Sequence, residues 1–392
     1  MRTLIQATLL AGLTIWAWPL AAQQGQSCSR YSIIIGSPED KLMLAVNGAQ
    51  DPSAKIAALE RFAQEHPDSH YAPCVDQLLT KNYVKLQQYD KAIAAGQKAV
   101  TANHLDVSFL EDLLQAYLAS GNASDEAFDV IMKAAPQIQG ETTVTKTGDE
   151  SPEQFEQAKK SAVQQAKEDT AYMLYAMLNL VPRVADPAKQ IKFLDQFSQA
   201  YPEVAKEQAG SIDYRYAVAY AQANQPAKAD EYAEKAITAD PNNIEALNLV
   251  AYDYAFRLQA KQARAAEYAK KVLELAAAMK KPEGVPEDQF KAQQNAQEGM
   301  ARLTLGYLDL LKNAESHRVT GAVQEFSKAA DLLAGNAELQ GQAYYLLAYS
   351  YETLYPAQHH HALTALEQAV KLRSSMQGRA RELLAKVKRV AR

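Results

Sequence analysis

Apolar residues fall in three kinds of pattern along this chain, and each predicts a different element. Behind Arg2, a largely apolar run from Leu4 to Trp18 leads into Pro19, Leu20, Ala21 and Ala22. A positive start, a short apolar run and a small-residue end predict a secretory signal peptide over residues 1–22, cleaved before Gln23. The run is short for a bilayer span, which needs about 20 residues. From residue 38 onward small and apolar residues recur at helical spacing. Charges are scattered between them at i and i+4 positions, as on the solvated faces of amphipathic helices. At the end of the chain Leu383, Leu384, Val387 and Val390 mark one helical stripe. That stripe predicts a capping helix over residues 376–392, closing the exposed core of a last repeat.

The helical spacing itself repeats. Ala217, Tyr220, Ala229, Ala236 and Pro241 are separated by 3, 9, 7 and 5 residues. Small residues at a helix crossing let two helices approach closely, an aromatic ring fills the space behind them, and proline ends the pair. Ala251 and Tyr254 follow 34 residues after Ala217 and Tyr220, whereas Ala265 and Val272 follow 36 after Ala229 and Ala236, so the turn gains two residues. Tyr83, Ala92, Ala99 and His104 keep the 9, 7, 5 spacing, with His in the place of the exit proline. Looser copies lie at Tyr117, Ala127 and Ala134, at Gly306, Ala322 and Ala329, and at Ala348, Tyr351, Ala362 and Ala369. A longer duplication contains these units. Asp51 and Phe62 match Asp186 and Phe197 at a shift of 135, and Tyr83, Ala92 and Ala99 match Tyr220, Ala229 and Ala236 at 137.

The Gly210 to Asn243 unit resembles the tetratricopeptide repeat, and the string YDKAIAAGQKAV from Tyr89 resembles that family's second helix. A leader helix ending in His-Pro or Tyr-Pro, then a helix pair, is similar to exported bacterial envelope tetratricopeptide proteins of the outer-membrane assembly and Tol-Pal-associated kind. The resemblance extends over most of residues 38–372. It implies an all-α, right-handed α-solenoid of antiparallel helix pairs that binds protein or peptide segments on the concave side of its first helices. The expected plan is a non-helical extension over residues 23–37, a first helical block over 38–135, a loop over 136–151, a second block over 152–375, then the cap. Ser151 and Pro152 are suited to starting a helix, and the Lys280 to Glu287 stretch, with two prolines and a glycine, breaks the second block.

Composition removes several function classes. The formal charge is -5, and no basic patch recruits nucleic acid. No catalytic signature is present: GxSxG, P-loop, Rossmann glycine, HExxH and Cys-x-x-Cys patterns are all missing. The reading is therefore a non-enzyme with no cofactor and no metal site. His359, His360 and His361 are consecutive, so on a helix they point about 100° apart and do not converge on one ion; they read as a polar turn between the helices of the final repeat. Cys28 and Cys74 are the only cysteines. Export to an oxidising compartment, periplasmic or extracellular, permits a bridge between them. Such a bridge is expected to pin the extension, with Ile33, Ile34 and Ile35, onto the first helices.

Tyrosine carries the functional expectation. With 21 Tyr against 9 Phe, polar-tipped rings are favoured over purely apolar ones. In the resembled family's register Tyr83, Tyr220, Tyr254 and Tyr351 take the buried aromatic position, whereas Tyr214, Tyr252, Tyr307, Tyr345 and Tyr349 take ligand-facing places. A tyrosine-lined groove suits an extended peptide or a helix, since rigid rings give contact area at low entropy cost. The family's carboxylate clamp is largely missing, because the matching places hold Tyr214, Val218, Asn248 and Tyr252; Lys81 and Arg215 are isolated. The expectation is an exported scaffold for protein partners with a place in envelope assembly; the alternatives are a carbohydrate or small-ligand module and a purely structural, self-assembling solenoid.

Overall fold

The computed structural model describes residues 27–28, 31–146, 148, 150–282 and 284–391. The signal-peptide reading of residues 1–22 lies outside them. The described residues form 18 α-helices and no strand. They divide into two compact units, one running up to Ala185 with Asp195–Val204 added, the other comprising Asp186–Leu194 and Ala205–Arg392. The loop expected between blocks at residues 136–151 and the helix after it both fall in the first unit.

The first unit contains α1 (Pro38–Gly48), α2 (Pro52–Glu65), α3 (Ala72–Lys85), α4 (Tyr89–Thr101), α5 (Val107–Ser120), α6 (Asp125–Glu141) and α7 (Pro152–Leu180). Consecutive helices pack on one another throughout. Three of them begin on a side-chain cap followed by proline. Ser37, Asp51 and Ser151 accept from backbone N–H groups in the first turn, and Ser151 forms a full capping box with Gln154. Leu59, Phe62, Val75, Tyr83 and Ala92 share one core. Gly96 of α4 lies against Leu113 of α5, where an added Cβ would come within 2.6 Å of the Leu113 side chain. Small residues thus sit at crossings, as the repeat spacing requires.

Two expectations fail in this unit. The loop expected from Pro136 begins only after Glu141, because α6 continues through Pro136. The apolar face of α6 carries on through Ala134 to Ile138, both buried, and that burial outweighs the hydrogen bond which proline removes. The isoleucines of the extension are not pinned either: Ile34 and Ile35 are exposed, Ile35 at 93%. The residue that docks is Tyr31, whose ring meets those of His70, Tyr71 and His104.

Helices α8 (Pro187–Ala200) and the short α9 (Pro202–Glu207) are each divided between the units; the second unit then contains α10 (Ala209–Gln222), α11 (Pro226–Ala239), α12 (Ile244–Tyr252), α13 (Gln262–Ala278), α14 (Glu287–Asn313), α15 (Thr320–Leu332), α16 (Ala337–Thr353), α17 (His359–Lys371) and α18 (Gln377–Val390). Two cores run through it, one around Ala236, Leu247, Tyr254 and Val272, the other around Phe326, Ala343, Leu347 and Leu366. The cap forms as α18, with Val387 buried and Leu383 and Leu384 packed on the core. Val390 faces solvent instead, being the last residue of the helix.

The internal duplication has a direct structural counterpart. Helices α2 and α8 are each 14 residues long and begin with proline. At their ends His66 N donates to Phe62 O and Tyr201 N to Phe197 O, both at 2.8 Å. Helices α3 and α10, also 14 residues each, both close with a residue in the left-handed region, Gln87 in one and Asn224 in the other. The following N–H then reaches back five residues, from Gln88 to Tyr83 O and from Gln225 to Tyr220 O, each at 2.9 Å. This is the turn in which a left-handed residue satisfies the last helical carbonyls. In the next repeat, where the sequence has two more residues, α12 passes instead into a π-turn over Asp253–Arg257. Gln259 and Lys261 there adopt positive φ. The insertion is absorbed in the turn, and the helices on either side keep their packing.

Candidate functional site

The five expected tyrosines all lie in the second unit, and none is fully buried. Tyr252 ends α12, Tyr307 lies on α14, and Tyr345 and Tyr349 are one turn apart on α16. Tyr252 stacks on Phe256 with centroids 4.6 Å apart, and Phe256 stacks on Tyr307 at 4.1 Å. The Tyr252 hydroxyl donates to Gln342 Oε1 at 2.9 Å, while Gln259 Nε2 donates to the Tyr307 hydroxyl at 3.4 Å. Gln342, Tyr345 and Tyr349 are at i, i+3 and i+7 of α16 and share one helix face. The stack of rings therefore joins that face through Gln342. Tyr349 is the most open of the five, 46% exposed.

Tyr214 stands apart. It packs on the core around Leu247, with the Arg215 guanidinium 5.6 Å from its ring centroid, and burial pushes its hydroxyl pKa up. It enters no ring stack among the described residues. The arrangement supplies flat aromatic surface edged by hydroxyl and amide groups. Such groups bind by stacking and hydrogen bonding.

Sequence reasoning missed Phe256, which joins the two rings, and the buried Gln342, which ties Tyr252 to α16. Phe256 lies inside the π-turn, and no repeat spacing extends to a residue of an insertion. Gln342 gives no chemical signal of its own and acquires a role only by meeting Tyr252, 90 residues away.

The expected buried aromatics divide into two groups. Tyr83 and Tyr254 are buried, and each hydroxyl donates to a glutamate of the preceding helix, Tyr83 to Glu60 and Tyr254 to Glu234, the latter at 2.6 Å. Burial and that neighbouring carboxylate push the Tyr83 hydroxyl up to about 12. Tyr220 and Tyr351 are only half-buried, which corrects the expectation for those two. Tyr220 stacks on Tyr232, and Tyr351 on His361. His359, His360 and His361 form the first turn of α17 and not a turn between helices. His359 Nδ1 faces Glu352 Oε1 at 2.9 Å.

Asn248, at a clamp place of the resembled family, is buried and donates to Gln297 O at 3.1 Å and to Gln297 Oε1 at 2.7 Å. It is held inside the unit and offers nothing to a partner. In the first unit Lys81 lines an open groove of about 660 Å³ with Glu111, Asp112, Gln115, Tyr172 and Tyr175. The Glu111 carboxyl is pushed up to about 7, first by burial and then by the charges of Asp169, Asp112 and Glu141. These carboxylates come from α5, α6 and α7, so no local spacing announces them.

Cys28 and Cys74 are joined by a disulfide with Cα atoms 5.6 Å apart. Beside it His104, 3% exposed, has Nδ1 3.7 Å from Cys28 Sγ and Nε2 3.3 Å from the Tyr31 hydroxyl. The Cys28 N–H donates to Asp106 Oδ2 at 3.1 Å. His104, which takes the place of a repeat proline, thereby anchors the N-terminal segment. No helix among the described residues is long and apolar enough to cross a membrane.

No protein-family model matches the chain, and no curated protein does. Among solved structures, yeast Tom70 aligns over 90% of this chain and 95% of its own at 12% identity and a TM-score of 0.31. The APC/C hetero-tetramer Cut9-Hcn1 aligns over 90% of each chain at 13% identity and 0.28. The TPR domain of P58(IPK) aligns over 90% of this chain and 97% of its own at 16% identity and 0.22. At these scores the assignment stands on the chain's own helix spacing and packing: it is an all-helical array of tetratricopeptide-like helix pairs.

Proposed function

We propose that the protein is an exported scaffold that binds protein or peptide segments across the tyrosine face of its second unit, and that it works by binding and not by catalysis. The observation that carries the reading is the stack of half-buried rings Tyr307, Phe256 and Tyr252, tied through the buried Gln342 to α16, where Tyr345 and the exposed Tyr349 extend the aromatic face. Rings held in place by stacking lose little further entropy on binding, which favours contact with an extended segment or a helix. The apolar run before Ala22 and the cystine at Cys28 and Cys74 support export to the periplasm or the medium. A place in cell-envelope assembly agrees with both.

Affinity capture from cell-envelope extract, with the protein and with its Tyr349→Ala variant as baits, tests the reading. A protein retained saturably by the first bait and weakly by the second supports it. Glycan-array binding lost in Tyr349→Ala, with no protein retained, would replace it with the carbohydrate-binding alternative. A defined oligomer with no ligand of either kind would make the solenoid structural.

A further inference from the structure

We propose that Cys28, Cys74 and His104, once the disulfide is reduced, form a binding site for a thiophilic d¹⁰ metal ion, Zn²⁺ or Cu⁺. Their three donor atoms lie within 4.8 Å of one another, drawn from the N-terminal segment, from α3 and from the turn before α5. Cys74 and His104 are buried, so bulk water reaches the site mainly from the side of Cys28.

The geometry fits tetrahedral coordination. Metal–sulfur bonds of about 2.3 Å and metal–nitrogen bonds of about 2.1 Å put a sulfur and a nitrogen about 3.6 Å apart, and two sulfurs about 3.8 Å apart. Cys28 Sγ already stands 3.7 Å from His104 Nδ1. Once their bond is broken the two sulfurs must move apart, with all three donor atoms starting within 4.8 Å of one another. The imidazole is oriented for the task. In the tautomer whose Nε2–H donates to the Tyr31 hydroxyl 3.3 Å away, the lone pair of Nδ1 points toward the sulfurs. A hydrogen bond on the far ring nitrogen is the usual device for fixing the tautomer of a metal-bound histidine. Asp106 holds the Cys28 backbone from the other side. Three protein donors leave a fourth position for water or a small thiol.

The chemistry balances. A dithiol reductant gives two electrons and two protons to the cystine and becomes a disulfide, leaving two thiols. The metal then binds both sulfurs as thiolates and the two protons pass to solvent. Metal and disulfide exclude each other, so the chain holds the ion under reducing conditions and releases it on oxidation. In either state the N-terminal segment stays fastened to α3.

Zn²⁺ titration of the purified chain against a chromophoric chelator, with the chain oxidised or anaerobically reduced, tests the proposal. The expected result is one Zn²⁺ per reduced chain and none per oxidised chain, with both thiols protected from alkylation. Affinity should fall at least tenfold in His104→Ala and in Cys28→Ser, and by about 10-fold in Tyr31→Phe. Helicity is followed alongside. If reduction unfolds part of the chain and Zn²⁺ restores it, the site is supported; if Zn²⁺ does not restore it, the proposal fails. Absence of stoichiometric uptake overturns it. So does uptake as tight in His104→Ala as in the parent chain, or uptake lost in His360→Ala instead, since either places the ion elsewhere.

Discussion

The Tyr252 hydroxyl reaches Gln342 Oε1 at 2.9 Å and so ties α12 to α16 across three intervening helices. Tyr252 is therefore part of the unit's own framework as well as of its candidate binding face. Tyr252→Phe keeps the stack on Phe256 and loses one half-buried hydrogen bond, for a cost of about 1 kcal/mol. Tyr252→Ala also opens a void beside Phe256 and should cost roughly 2–4 kcal/mol. Chemical denaturation of both variants checks the order; equal losses would mean that the ring contributes nothing beyond its hydroxyl.

At the α14–α15 crossing, a Cβ added to Gly306 would lie 2.9 Å from two ring carbons of Phe326, a fully buried residue. Gly306→Ala raises helix propensity but overpacks the contact. We expect a net loss of about 1–3 kcal/mol, read as a lower denaturation midpoint. Gly378→Ala, where no atom lies within 4 Å of the added Cβ, should be neutral or stabilising and serves as its control.

The Cys28–Cys74 bridge closes a sequence separation of 46 residues, worth about 4 kcal/mol in the chain-entropy model. Reduction should lower the thermal midpoint of the first unit and leave that of the second in place. Calorimetry with and without a phosphine reductant separates the two; a uniform shift of both transitions would contradict the assignment.

For Glu111 the sign of the pH effect follows from its upward shift, from 4.5 to about 7. Between those values the folded state holds a proton that the unfolded state has lost. The stabilisation is complete below about 4.5 and disappears as the pH rises to about 7, with an amplitude of about 1–2 kcal/mol once solvent screening of this half-buried group is allowed for. Glu111→Gln should flatten the stability profile across that window and exceed the parent chain at pH 8 relative to pH 4.5. Parallel profiles for the two proteins would show that Glu111 titrates normally.

Much of the fold is legible in the sequence, because a crossing demands small residues at fixed intervals and a duplication shows itself as a constant shift. The pairs α3–α4 and α10–α11 begin where the 137-residue shift puts them and end within one residue of it. What misled was local chemistry overruled by packing: Pro136 reads as a break, yet Ile138 beyond it is buried and carries α6 onward. The candidate surface was legible in part. Repeat register finds Tyr252, Tyr307 and Tyr349 but cannot find Phe256, which lies in an insertion, or Gln342, which depends on a partner 90 residues distant. His104 reads as a substitute for a proline, and its place between Tyr31 and Cys28 emerges only from the fold.

The central claim is that partners dock on the tyrosine face of the second unit, and the most direct test is the affinity of a captured partner segment for two single variants. Tyr349 and Tyr175 are both exposed, at 46% and 56%, and lie on α16 of the second unit and α7 of the first. Measured by calorimetric titration, Tyr349→Ala should weaken binding by about 1–3 kcal/mol, with helicity retained, and Tyr175→Ala should leave it unchanged. Equal affinity in the parent chain and Tyr349→Ala, or a loss confined to Tyr175→Ala, would contradict the account.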